Sequence, residues 1–130
     1  MPAGEAFSQR QKNEILRSIR LAEEGSGLRM SVYVGDLDGD PRARAEALHA
    51  QLGAGAPRAV LVAVDPANRR LEIVTGSEAG HRLDDRACGL AAVSMTSTFA
   101  AGDLAGGIAT GIRMLGDHAR APQTLHREAY

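Results

Sequence analysis

Ala59-Val-Leu-Val-Ala-Val64 limits what this chain can fold into more than any other stretch, because six successive apolar residues leave no polar face for water. Such a strand must be covered on both sides, which places it at the centre of a sheet with helices above and below. Asp65-Pro66-Ala67-Asn68 then carries turn chemistry at every position, and Leu71-Glu-Ile-Val-Thr75 follows at hairpin distance. These two strands are expected to pair antiparallel. Upstream, Leu28, Met30, Val32 and Val34 alternate with Arg29, Ser31 and Tyr33, and Gly35-Asp36 ends the run. That is the period of a strand with unequal faces.

The helices are read from caps and periodicity. Ser8 with Gln11 forms a capping-box pattern, Ile15, Leu16, Ile19 and Ala22 make the inward face, and Gly25 and Gly27 are stop signals. Asp40-Pro41 opens a second helix over about 41–52 with Ala43, Ala47, Leu48 and Leu52 buried, and Gly53 to Pro57 is a loop. Asp84 or Asp85 caps a third helix carrying Cys88, Ala91, Ala92, Met95 and Phe99 inward. Asp103 starts a fourth, with Leu104, Ile108, Ile112 and Leu115 inward and Gly107 and Gly111 one turn apart for close backbone packing. The order predicts an α/β layered sandwich: a small mixed sheet, with first and second strands parallel and the hairpin antiparallel, flanked by about four helices.

A chain of 130 residues, 44% apolar, fits one domain, expected over 8–118 with flexible ends at 1–7 and 119–130. The single cysteine, Cys88, excludes an intramolecular disulfide and agrees with a reducing cytoplasm. A net charge of -1, two Phe, two Tyr and no Trp supply neither the electrostatic footprint nor the stacking platform that nucleic acid requires. Met1-Pro-Ala-Gly-Glu-Ala-Phe-Ser-Gln-Arg10 has no basic stretch followed by an apolar one, so it is not expected to act as a secretory signal, and a cytoplasmic location is expected. Between Ala87 and Ile112 the one charged residue is Asp103, yet Gly102 and the polar Ser94–Thr98 stretch interrupt the run too much for a membrane span.

Gly27-Leu-Arg-Met-Ser-Val-Tyr-Val-Gly35, Arg44-Ala-Glu-Ala-Leu48, the central strand, Leu71-Glu-Ile-Val-Thr-Gly76, Leu83-Asp-Asp85 and Phe99-Ala-Ala-Gly-Asp103 together resemble the TPM domain. That family is named after thylakoid lumen phosphatase, photosystem repair and worm receptor-modulator proteins, and the likeness looks closest to an actinobacterial branch of unknown function. The resemblance spans about residues 8 to 118. It implies the layered fold and two kinds of role: calcium-linked acid phosphatase in some plant members, repair or assembly of membrane complexes in others. The chain departs from the pattern after the third strand, where Thr75-Gly76-Ser77-Glu78-Ala79 replaces a Gly-aromatic-Gly turn, and before the last helix, where Leu104 follows Gly102-Asp103.

Candidate chemistry centres on carboxylates. If the first two strands are parallel, Asp36 and Asp65 leave the sheet at one edge, and a third helix of about 18 residues, spanning roughly 27 Å, returns Asp103 to it. Asp36, Asp38, Asp65 and Asp103 then form a candidate site for Ca²⁺ or Mg²⁺, with a second acidic group, Glu78, Asp84 and Asp85, at the far end. Asp36-Leu-Asp38-Gly-Asp40 is no EF-hand loop, since Pro41 and Ala47 occupy positions that need Gly and Glu. Most of these aspartates also stand where caps and turns ordinarily use them. No nucleophile elbow, phosphate loop or paired-histidine zinc motif is present; His81 beside Gly76 is a lone loop histidine, and Cys88 lies on an apolar stripe. With no complete catalytic set, the expectation is a non-enzymatic binding or adaptor module. It would use the uncharged helical face near Met95 and Phe99 for a protein partner or a second copy. The alternative is a metal-assisted phosphatase at the acidic edge.

Overall fold

The computed structural model describes residues 7–120; the expected flexible ends fall largely outside these residues. The elements are α1 (Gln9–Ser26), β1 (Arg29–Val34), α2 (Pro41–Ala50), β2 (Ala59–Asp65), β3 (Arg70–Thr75), α3 (Asp85–Ala100) and α4 (Leu104–His118). Short 3-10 turns at Gly53–Arg58 and Ala79–His81 occupy stretches read as loop. The sheet has the order β1-β2-β3, with β1 parallel to β2 and β2 antiparallel to β3. All seven residues of β2 are buried, as its composition requires.

Side-chain alternation divides the core into two layers. Val60, Val62 and Val64 face the larger one, beneath α1, α3 and α4; Leu61 and Ala63 face the smaller one with Val74, under Ala45 and Leu48 of α2. The predicted layered sandwich is what the chain forms.

Caps set the helix starts. Ser8 and Gln11 form the reciprocal capping box, Asp40 accepts from Arg42 N and Ala43 N, Asp84 from Ala87 N, and Asp103 from Gly106 N. Gly27, with φ 78°, ends α1 in the left-handed conformation that favours glycine. The ends of α1 and α4 are tied by Arg82, whose Nη2 donates to the carbonyls of Ser26 and Ala119. A guanidinium there satisfies last-turn carbonyls and complements both helix dipoles.

α4 lies between α1 and α3 and packs on both. Its glycines make that possible. A Cβ on Gly107 would stand 2.5 Å from Cε1 of Phe99, one on Gly111 would overlap Met95 Sδ, and one on Gly116 would stand 2.6 Å from Ala22 Cβ.

Two helix faces differ from expectation. On α1, Leu16 is 58% exposed whereas Ser18, Ala22 and Ser26 are buried. Close approach to the small-residue surface of α4 selects small side chains over the bulkier leucine. On α2, Ala43 and Ala47 are exposed; Ala45 and His49 are buried instead, with His49 Nε2 donating to Ala59 O at 3.0 Å. A histidine serves this face because it satisfies a backbone carbonyl that an alkyl chain would leave to other donors.

Candidate functional site

The turn between β2 and β3 is built around Asp65. This side chain is 1% exposed, and its oxygens accept from Leu37 N at 3.0 Å, Asn68 Nδ2 at 2.9 Å and Asn68 N at 3.3 Å. The hydrogen bonds from the Asn68 side chain and from Leu37 hold its carboxyl below the ordinary aspartate value; burial opposes them, and the nearby Arg70 charge assists. Asp65 thereby joins the β1–α2 loop to the hairpin turn. Arg70 completes the joint, its Nη1 donating to Leu37 O at 3.1 Å and Gly39 O at 3.3 Å.

Arg69 closes the turn with φ 55°, the one non-glycine residue with positive φ among those described. Asn or Gly would hold that conformation at lower cost, since a Cβ there crowds the following carbonyl by roughly 1–2 kcal/mol. The Arg69 side chain is exposed and, among the described residues, makes no hydrogen bond or ion pair. It borders a cleft of about 460 Å³ between the β2–β3 turn and the α3–α4 corner. Leu71, Phe99 and Leu104 supply apolar wall, Thr96 and Gly102 the far rim, and Asp65 part of the floor beside the arginines. Ligand clefts run from roughly 300 to 1,000 Å³, so this one accommodates a side chain or two. Apolar walls under an unpaired guanidinium suit an anionic group on an apolar body.

The predicted acids meet this geometry unevenly. Asp65 and the Gly102–Leu104 corner that brackets Asp103 do lie at one end of the sheet, as the strand directions imply. The four carboxylates still do not converge: among the described residues no three His, Cys, Asp or Glu side chains are placed to hold a metal ion. Asp36 and Asp38 are exposed, Asp103 Oδ1 is engaged by Gly106 N at 2.8 Å, and Asp65 already accepts three hydrogen bonds. The four therefore do not form one donor set among the described residues. At the other acidic group, Glu78 pairs with Arg58 at 3.4 Å, Asp84 caps α3, and Asp85 lies in its first turn.

The expected partner-binding pair also divides. Met95 is 0% exposed and enclosed against Gly111, so it cannot touch a partner while the core is closed; Phe99 is half-buried and reaches the cleft. What α3 presents to solvent is Leu90, 54% exposed, and Val93, 70% exposed. Cys88 is half-buried against the core, and burial, helped by Asp85 and Asp84, pushes its thiol up and away from thiolate chemistry. Sequence reasoning missed Arg69 and Leu71 as cleft residues. A signal existed in Arg69, since a four-residue hairpin loop that ends in arginine lacks the usual Gly or Asn.

The family described as "Domain of unknown function (DUF5130)" matches residues 2–116. Two Mycobacterium tuberculosis proteins, uncharacterized protein Rv2468c of strain H37Rv and uncharacterized protein MT2543 of strain CDC 1551, are each 34% identical over 88 residues. The match covers 68% of this chain and 52% of each relative, so the chain spans about half the length of these curated relatives. Among solved structures, the BA42 protein of the psychrophilic bacterium Bizionia argentinensis superposes with TM-score 0.78 at 18% identity, covering 87% of this chain and 81% of that one. The N-terminal domain of the cg2496 protein from Corynebacterium glutamicum gives 0.71 at 17% identity, covering 87% and 74%. Identities this low speak for the shared fold alone. No helix of the described residues is long and apolar enough to cross a membrane.

Proposed function

The chain belongs to the DUF5130 family, and from that premise we propose that the domain is a non-enzymatic binding module. Its cleft takes an acidic segment with apolar neighbours from a protein partner. The observation that carries this reading is Arg69: a residue kept in a costly backbone conformation, its guanidinium unpaired among the described residues, over walls made by Leu71, Phe99 and Leu104. The positive φ lets Arg69 N–H close the turn onto Pro66 O at 3.3 Å, a task glycine or asparagine would perform at lower cost, so the choice of arginine there is most simply explained by the guanidinium it leaves free among the described residues. The uncharged α3 face running from Leu90 and Val93 toward the cleft extends the surface such a partner would cover. A role in assembly of larger complexes, as the TPM resemblance implies for some members, is compatible with it.

Selection from a random peptide library against the full chain tests the proposal. Enriched peptides are expected to carry Asp or Glu beside apolar residues. Arg69→Gly should weaken their binding about tenfold or more, because it removes the charge partner, while stabilising the free protein by about 0.5–1 kcal/mol. Binders indifferent to Arg69→Gly, or enriched in basic residues, would overturn the reading.

The metal-assisted phosphatase alternative makes a different prediction. A divalent site occupied at one hundred times its dissociation constant adds about 2.7 kcal/mol, a shift of several degrees in melting temperature. Because Asp65 and Asp103 are engaged in a turn and a cap and the four carboxylates do not converge among the described residues, chelator-treated protein is expected to melt at the same temperature with Ca²⁺ or Mg²⁺ added as without. A saturable rise abolished by Asp36→Asn or Asp103→Asn would restore the alternative.

A further inference from the structure

Hydrogen-bond accounting along β1 leaves one side of the sheet unsatisfied. Gly35 N donates to Val64 O at 2.9 Å, so residues of odd number on β1 turn their peptide groups toward β2, and Met30, Val32 and Val34 turn theirs outward. Met30 confirms the alternation, since its N–H donates to Glu23 Oε2 of α1 at 2.9 Å. Among the described residues, the outward N–H and C=O of Val32 and Val34 have no partner, and both residues are only half-buried. The opposite edge is guarded, because Arg42 Nη1 donates to Ile73 O at 2.8 Å. β1 is protected only toward its start, by Arg29 and by Glu23 on Met30 N–H; over Val32 and Val34 it has no proline, no charged side chain and an unbroken one-to-one register without a bulge.

We propose that this edge pairs antiparallel with the same edge of a second copy, joining two three-stranded sheets into one. Setting Val32 of each copy opposite Val34 of the other lets each such pair exchange both N–H···O bonds and leaves Met30 N–H with Glu23. The occupant is argued from charge. Arg29 begins the strand, Asp36 and Asp38 follow it, all three are exposed, and none is in an ion pair among the described residues. Antiparallel self-pairing brings the Arg29 end of each copy beside the Asp36 end of the other, whereas a parallel arrangement would set like charges together. This chain therefore carries its own complement. The inference is independent of the cleft.

Sedimentation of the full chain from low micromolar to millimolar concentration, with amide hydrogen exchange read residue by residue, tests it. A concentration-dependent dimer is expected in which the Val32 and Val34 amides slow and that of Met30 does not. Val32→Pro removes an outward donor without touching the β2 ladder and should leave a folded monomer throughout. Should that variant fail to fold, Arg29→Asp is expected to weaken the dimer about tenfold, and adding Asp36→Arg to restore it. A monomer at every concentration would overturn the proposal. So would a dimer that survives Val32→Pro, ignores Arg29→Asp, or leaves the Val32 and Val34 amides unprotected.

Discussion

Gly76→Ala should destabilise the fold by about 3 kcal/mol or more, enough to lower the melting temperature by roughly 10 °C. Gly76 follows β3, where its N–H donates to Ala59 O at 2.9 Å and the chain passes directly over the Gly53–Arg58 turn. A Cβ there would overlap the carbonyl oxygen of Ala56 and stand 2.6 Å from that of Pro57. Both are backbone atoms, and Pro57 O is itself held by Glu78 N at 2.9 Å, so neither can swing aside as a side chain would. Gly89→Ala is the matching control. It lies inside α3 with nothing within 4 Å of the added carbon, and is expected to stabilise by about 0.5–1 kcal/mol through the lower unfolded-state entropy of alanine. Thermal or denaturant unfolding of the two variants beside the parent checks both signs.

Asp65→Ala is expected to cost about 2–4 kcal/mol at neutral pH, because it leaves the buried Leu37 N–H without an acceptor and releases Asn68 from the turn. The pH dependence follows from the direction of its shift. A carboxyl held below its ordinary value of 3.8 contributes stability that is fully present above that value and lost as pH falls through the folded one. The gap between the parent and Asp65→Ala should therefore hold from neutrality to about pH 5 and narrow as pH approaches about 2. Urea unfolding of both proteins across this range measures it; a gap that widens toward acid would show that Asp65 is not ionised in the fold.

These two residues also mark how much was legible in the sequence. The Ala59–Val64 run determined the central strand, and Ser8, Asp40 and Asp103, with Asp84 or Asp85 for the third helix, announced helix starts, because burial on both faces and orphan N–H groups are local demands. Gly76 read only as a turn, since its need for a missing Cβ comes from Ala56 and Pro57, which the β2–β3 hairpin brings back from some twenty residues earlier. Asp65 read as a candidate ligand at a sheet edge. The edge was right, and the turn role toward Asn68 was readable from the Asp65–Asn68 stretch, but nothing local could announce that Leu37, 28 residues earlier, would engage its Oδ2. Met95 fell on the correct stripe, and only the glycine surface of α4 decides that this stripe is closed to solvent. The cleft itself joins a hairpin turn to a helix corner some thirty residues away, so no window of sequence contains it.

The most direct measurement is a nuclear magnetic resonance titration of the isotope-labelled chain with the strongest Arg69-dependent peptide from the library. If the cleft is the binding site, amide signals of residues 64–71 and 96–104 shift together and saturably, the Arg69 side-chain Nε–H signal moves with them, and Arg69→Gly abolishes the response. Shifts confined to other surfaces, or an unchanged Arg69 signal at saturation, would contradict it.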